Sequence, residues 1–77
     1  MPLYYFNVRN DDFTEDFEGM ELADAQAAHA YAVQAARSLA ADTVSHGHLT
    51  AKHRIEIVDA AREQVGEVTF GEAVTIR

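Results

Sequence analysis

Three groups of side chains in this sequence have the types and spacing to do chemistry. Asp11, Asp12, Glu15, Asp16 and Glu18 place five carboxylates within eight residues, a supply of the hard oxygen ligands that calcium and magnesium take. Their spacing does not follow a calcium-binding loop. No glycine stands at the turn position, and no alternating Asp-x-Asp-x-Asp series leads to a bidentate glutamate. A solvated acidic turn is the expectation for this segment. His46, His48 and His53 form the second group, because imidazole is the commonest zinc or nickel ligand. Two of them fall in the loop around Gly47, and His29 is remote along the chain, so helix-end capping and exposure compete with ligation. We expect no metal and no cofactor, with His46, His48 and His53 as the candidates should a metal bind. The third group is the hydroxyls Ser38 and Ser45. Nucleophilic catalysis needs an activated hydroxyl or thiol beside a base; cysteine is absent, and neighbours such as Ser45 and His46 point about 100° apart on a helix. We therefore expect no catalytic residue and no enzyme activity.

Other chemistries find less support. Gly19, Gly47, Gly66 and Gly71 are isolated, so no glycine-rich loop exists to cradle a phosphate. Tyr4, Tyr5 and Phe6 could stack on single-stranded nucleic acid, but such platforms are flanked by basic grooves and this segment carries only Arg9. Thirteen acidic residues against six basic ones give a net charge of −7, which repels phosphate backbones. The one basic cluster available is His46, His48, Lys52, His53 and Arg54. We expect no nucleic-acid partner.

These side chains must be positioned by few elements, because 77 residues leave room for one domain, residues 1–77, and one core. Leu3 to Arg9 alternates, with Tyr4, Phe6 and Val8 on one face, and predicts a half-buried strand ended by the turn formers Asn10, Asp11 and Asp12. Phe13 to Leu22 predicts a return strand broken at Gly19. Alanine-rich Ala23 to Ser45 predicts a helix with Asp24 as N-cap and Gly47 as left-handed stop. Its expected core stripe is Ala25, Ala28, Ala32, Ala35, Ala36, Leu39 and Thr43, and its roughly 33 Å length is enough to span a small sheet. Because that stripe is mostly alanine, the bulk of the core must come from Tyr4, Phe6, Ile55, Ile57 and Phe70. Arg54 to Asp59 and Val65 to Phe70 alternate again and predict a second hairpin, and Gly71 to Arg77 a turn or a strand end. The expected fold is α+β, in the order β-β-α-β-β, with one long helix across one face of a small antiparallel sheet. The opposite face would present Leu3, Tyr5, Val58 and Val65 among polar residues.

Several segments, taken in order, resemble a family of short bacterial proteins of unknown function: Tyr4-Tyr5-Phe6-Asn7-Val8-Arg9, Glu18-Gly19-Met20-Glu21-Leu22-Ala23-Asp24, Ala36-Arg37-Ser38-Leu39-Ala40 and Ile55-Glu56-Ile57-Val58-Asp59. That resemblance spans nearly the whole chain; it implies the fold outline and carries over no activity. The first forty-five or so residues are also similar to HicB-type antitoxin domains, which enter an alanine-bearing helix from a hairpin. The second hairpin departs from that pattern, and no separate DNA-binding segment follows.

No apolar run is long enough for a transmembrane helix, and no secretory signal is recognised, so we expect a cytoplasmic protein without a membrane partner. A chain this short buries only about 60% of its unfolded surface and is marginally stable alone. The leading expectation is a non-enzymatic interaction module, a homodimer using its open sheet face or a strand edge. The alternatives are an acidic, antitoxin-like inhibitor of a basic partner protein, and a metal- or ligand-binding protein using His46, His48 and His53.

Overall fold

The computed structural model describes residues 1–74. Its aromatic and β-branched opening forms strand β1 (Leu3–Arg9), as such side chains favour a pleated, half-buried surface. Asn10 ends it: the side-chain oxygen accepts the Asp12 amide at 2.9 Å while the Asn10 amide donates to the Asp12 carbonyl at 3.0 Å. The chain returns antiparallel to β1 in two short pieces, β2 (Phe13–Thr14) and β3 (Met20–Glu21). Helix α1 (Ala25–Ser45) follows, then β4 (Arg54–Asp59), β5 (Gln64–Thr69) and the one-turn helix α2 (Phe70–Ala73). The sheet runs β2, β1, β4, β5, with β3 also paired to β1 and every pairing antiparallel.

The α+β class is the expected one, with one strand more than expected: the order is β-β-β-α-β-β. The return strand is split by residues 15–19 rather than merely bulged. Gly19 sits at φ +71°, and a Cβ there would lie 2.8 Å from the Tyr4 carbonyl oxygen. Only glycine combines that backbone conformation with that approach.

Helix α1 begins where expected, the Asp24 side chain accepting the Ala27 amide at 2.8 Å. It ends at Gly47, φ +96°, with the His48 amide donating to the Thr43 carbonyl at 3.1 Å and the Gly47 amide to that of Val44 at 2.9 Å. This is a Schellman stop, which needs the left-handed residue that glycine supplies. The buried positions are Ala28, Ala32, Ala36 and Ala40, one row at four-residue spacing. The expected stripe is thus turned: Ala40 joins it, whereas Ala25 is exposed and Leu39 stays 36% exposed at its margin. A row of methyl groups lets the backbone approach the sheet, where a leucine would hold it away.

The helix also sits off centre. It packs over β4 and β5 and against α2, burying Ile55, Ile57, Val68 and Phe70, whereas Phe6 and Val8 on β1 are only partly buried. The expected complete cover of the sheet is therefore not achieved, and the β1 side of the helix-facing surface remains accessible. Phe70, expected as a strand residue, instead opens α2, where the Thr69 hydroxyl accepts the Glu72 amide at 3.1 Å. It remains inward, 1% exposed. Where a turn or a strand end is expected from Gly71, the chain instead continues α2 through Ala73, because the Thr69 cap starts a helical turn, and residues 75–77 lie outside the described residues.

Candidate functional site

The gap between β2 and β3 is filled by a side chain. Asp16 presents one carboxylate oxygen, Oδ2, to the Phe6 amide at 3.1 Å, the ladder donor that an unbroken neighbouring strand would have taken. Its other oxygen accepts the Glu18 and Gly19 amides at 3.0 and 3.1 Å. The Asp16 amide donates to Asn7 Oδ1 at 2.8 Å. Burial is the largest single influence on this carboxyl and pushes its pKa up. The three amides, with the Arg62 guanidinium nearby, outweigh burial together and hold it below the ordinary value of 3.8. Asp16 is thus an ionised plug in the sheet edge.

Arg62 braces the plug from the β4–β5 turn. It is the one non-glycine residue at positive φ (+65°) among the described residues. Its guanidinium lies 3.8 Å from the Tyr5 ring centroid, donates to the Asp16 carbonyl at 3.3 Å and stands 3.6 Å from Glu15. A left-handed arginine costs about 1–2 kcal/mol of backbone energy, which these contacts offset.

Beside the plug, the part of the sheet left open by α1 forms a groove of about 500 Å³. Phe6, Val8 and Ile55 contribute from the sheet, Tyr31, Ala35, Ser38 and Leu39 from α1, and Asp16, Glu18, Gly19 and Met20 from the split edge. Phe6 and Tyr31 meet with ring centroids 4.7 Å apart. Met20, Tyr31 and Leu39 are all large apolar residues left exposed at this groove, and Phe17, flanked in sequence by two lining residues, is 73% exposed. Apolar side chains concentrated around a concavity mark a binding surface more specifically than scattered ones do.

The opposite face of the sheet does not present the apolar surface expected of it. Val58 is 7% exposed and Tyr5 lies under Arg62. Across the strands runs a polar chain. The Arg9 guanidinium stacks 4.3 Å from the Phe13 ring centroid and reaches Glu56 at 2.8 Å, Arg54 reaches the same Glu56 oxygen at 3.3 Å, and Arg54 Nε stands 3.3 Å from Glu67. The long arginine stems cover apolar ground while their heads stay solvated. Val65 at the β5 register shift remains exposed.

The histidines are separated in environment. His46 caps α1, its Nδ1 2.8 Å from the Asp42 carbonyl oxygen; as a carbonyl only accepts, that nitrogen carries the proton. Ser45 donates to the same carbonyl at 2.8 Å, so the hydroxyl and the imidazole share an acceptor instead of pairing. His48 is exposed. His53 stands edge-on to Phe70, ring centroids 5.7 Å apart, with Nε2 3.4 Å from Asp11. Among the described residues no three His, Asp or Glu side chains are grouped to hold a metal ion. Of the acidic segment, Asp11, Asp12, Glu15 and Glu18 are exposed and Asp16 alone is drawn in.

The role of Asp16 and the grouping of Tyr31 with Leu39 and Met20 are not among the sequence expectations. The Asp16-x-x-Gly19 spacing is a usable signal, since an aspartate that accepts amides two and three residues on commonly closes such a turn. No local signal marks the groove, which arises from where the helix sits. No helix among the described residues is long and apolar enough to cross a membrane. No curated protein and no solved structure matches the chain. Residues 3–71 match the family described as Domain of unknown function (DUF6894). The match takes in every element that builds the plug and the groove, and the chain belongs to that family.

Proposed function

We propose that this domain is a non-enzymatic protein-interaction module that receives a segment of a partner protein in the groove between α1 and the split sheet edge. The observation that carries this reading is the gathering of Met20, Tyr31 and Leu39 around one concavity of about 500 Å³, while arginine side chains lie over the opposite face. The hydrogen bonds of Asp16 to Phe6, Glu18 and Gly19 hold one wall of the groove in place in the folded domain, and a preformed surface spends little ordering entropy on binding. The test is capture of partners from native extract by the untagged protein, alongside the Leu39→Glu and Val65→Lys variants. A stoichiometric partner lost with Leu39→Glu and kept with Val65→Lys supports the groove. A partner retained equally by both variants, or recovery of the protein alone, refutes it.

The homodimer expected from the chain's size is favoured by a different surface. Among the described residues β5 has a neighbour on one side only, and Val65 stands exposed along it. Pairing of two β5 edges would extend the sheet across a two-fold axis. Light scattering that gives a monomer mass across micromolar concentrations would end this second reading.

A further inference from the structure

We infer that the occupant of the groove is a basic amphipathic helix of another protein and not a second copy of this chain. The inference deepens the interaction reading and rests on it. Its first support is shape. Tyr31, Ala35 and Leu39 recur at four-residue spacing along α1, so the helical wall of the groove is about 12 Å long. That length matches the apolar stripe that two to three turns of a second helix present. Ala35 and Ser38 keep the middle of the wall low, which lets a helix backbone come close.

The second support is what the edge has already used. An extended segment would gain most of its affinity by adding to a free strand ladder. Here β1 is occupied on this side by β2, by β3 and, between them, by the Asp16 carboxylate on the Phe6 amide. No ladder donor is left at the gap for a strand to take, so a segment that satisfies its own backbone is the one that fits.

The third support is charge. Asp16 and Glu18 line the groove, and among the described residues no lysine, arginine or histidine does. Glu18 makes no ion pair among the described residues. A second copy would bring its own −7 against these carboxylates, and like charges across an interface oppose association. A lysine-bearing segment gains in encounter rate and in register from the same groups.

The probes are two synthetic amphipathic peptides of one pattern, one of leucine and lysine, the other of leucine and glutamate, titrated into the ¹⁵N-labelled domain. The expected result is saturable shifting of the Met20, Tyr31, Ala35 and Leu39 amides by the lysine peptide, with a gain of peptide helicity. Leu39→Gln should weaken binding at least tenfold. Glu18→Lys, an exposed change that leaves the fold intact, should weaken the lysine peptide several-fold and strengthen the glutamate peptide. Equal binding of both peptides, shifts mapped to the opposite face, or groove amides that move with protein concentration alone would overturn the assignment. If the lysine peptide fails while a captured partner cross-links to Met20 or Leu39 through an acidic or extended segment, the basic-helix assignment falls and the interaction module stands. If neither peptide nor partner touches the groove, both fall.

Discussion

Removing the Asp16 carboxylate is the sharpest test of how the split edge is held. Asp16→Ala leaves three amides without their acceptor. Hydrogen bonds to a charged group contribute about 1.5–3 kcal/mol each, but these three are not equal. The Glu18 amide bond is exposed, and water replaces it at almost no loss. The Phe6 and Gly19 bonds are partly buried, and Asp16 is itself partly solvated, so about half the nominal value applies to each. The sum is a loss of about 1.5–3 kcal/mol, a large share of the ~5 kcal/mol expected for a small domain. In urea unfolding followed by far-ultraviolet circular dichroism, that corresponds to a midpoint lower by about 2 M. The pH dependence carries the same signature. Because the folded-state pKa of Asp16 is lowered from 3.8, its stabilisation is fully present above that value and is lost as pH falls through the lower folded-state value. The gap between wild type and Asp16→Ala should therefore close in acid. A loss under about 0.5 kcal/mol, or a gap that persists unchanged to pH 2, would refute the plug.

Three further outcomes are expected. Gly19→Ala should destabilise by more than the roughly 1–2 kcal/mol of a left-handed alanine, because its Cβ also meets the Tyr4 carbonyl at 2.8 Å; thermal unfolding measures it. Ala32→Leu, at a fully buried position, should cost about 1–3 kcal/mol by lifting the helix from the sheet, and a neutral result in urea would mean that α1 does not lie close. Glu56→Ala should cost about 1–2 kcal/mol, less than for a fully buried pair, since Arg9 and Arg54 are 47% and 37% exposed as side chains and can rehydrate; denaturation at low and high salt checks both size and screening.

Elements defined by local chemistry were legible in the sequence. Asp24 and Gly47 bound the helix because capping depends on one residue and its neighbours, and Arg54 to Asp59 alternates visibly because both faces of β4 are specified. The stripe on α1 was legible only approximately. In an alanine-rich helix several rotations look alike, and the sheet decides between Leu39 and Ala40. The opposite sheet face was misjudged, as composition places Tyr5 and Val58 there without revealing that Arg62, from a distant turn, lies over Tyr5. In the sequence Asp16 reads as one of five solvated carboxylates because its partners, Phe6 and Asn7, are ten and nine residues away.

The Arg62 brace also orders events in time. Its contact with the Asp16 carbonyl joins residues 46 apart, and the β4–β5 turn that presents Arg62 lies beyond the whole of α1 in the chain. Local pieces, the β1–β2 turn and α1, can form early, whereas contacts of such long sequence separation come late in folding. Residues 15–19 are thus the last to be secured and the first released when the β4–β5 hairpin loosens. Amide hydrogen exchange at Gly19 should keep pace with that at Arg62, so two loops far apart in the chain open as one unit.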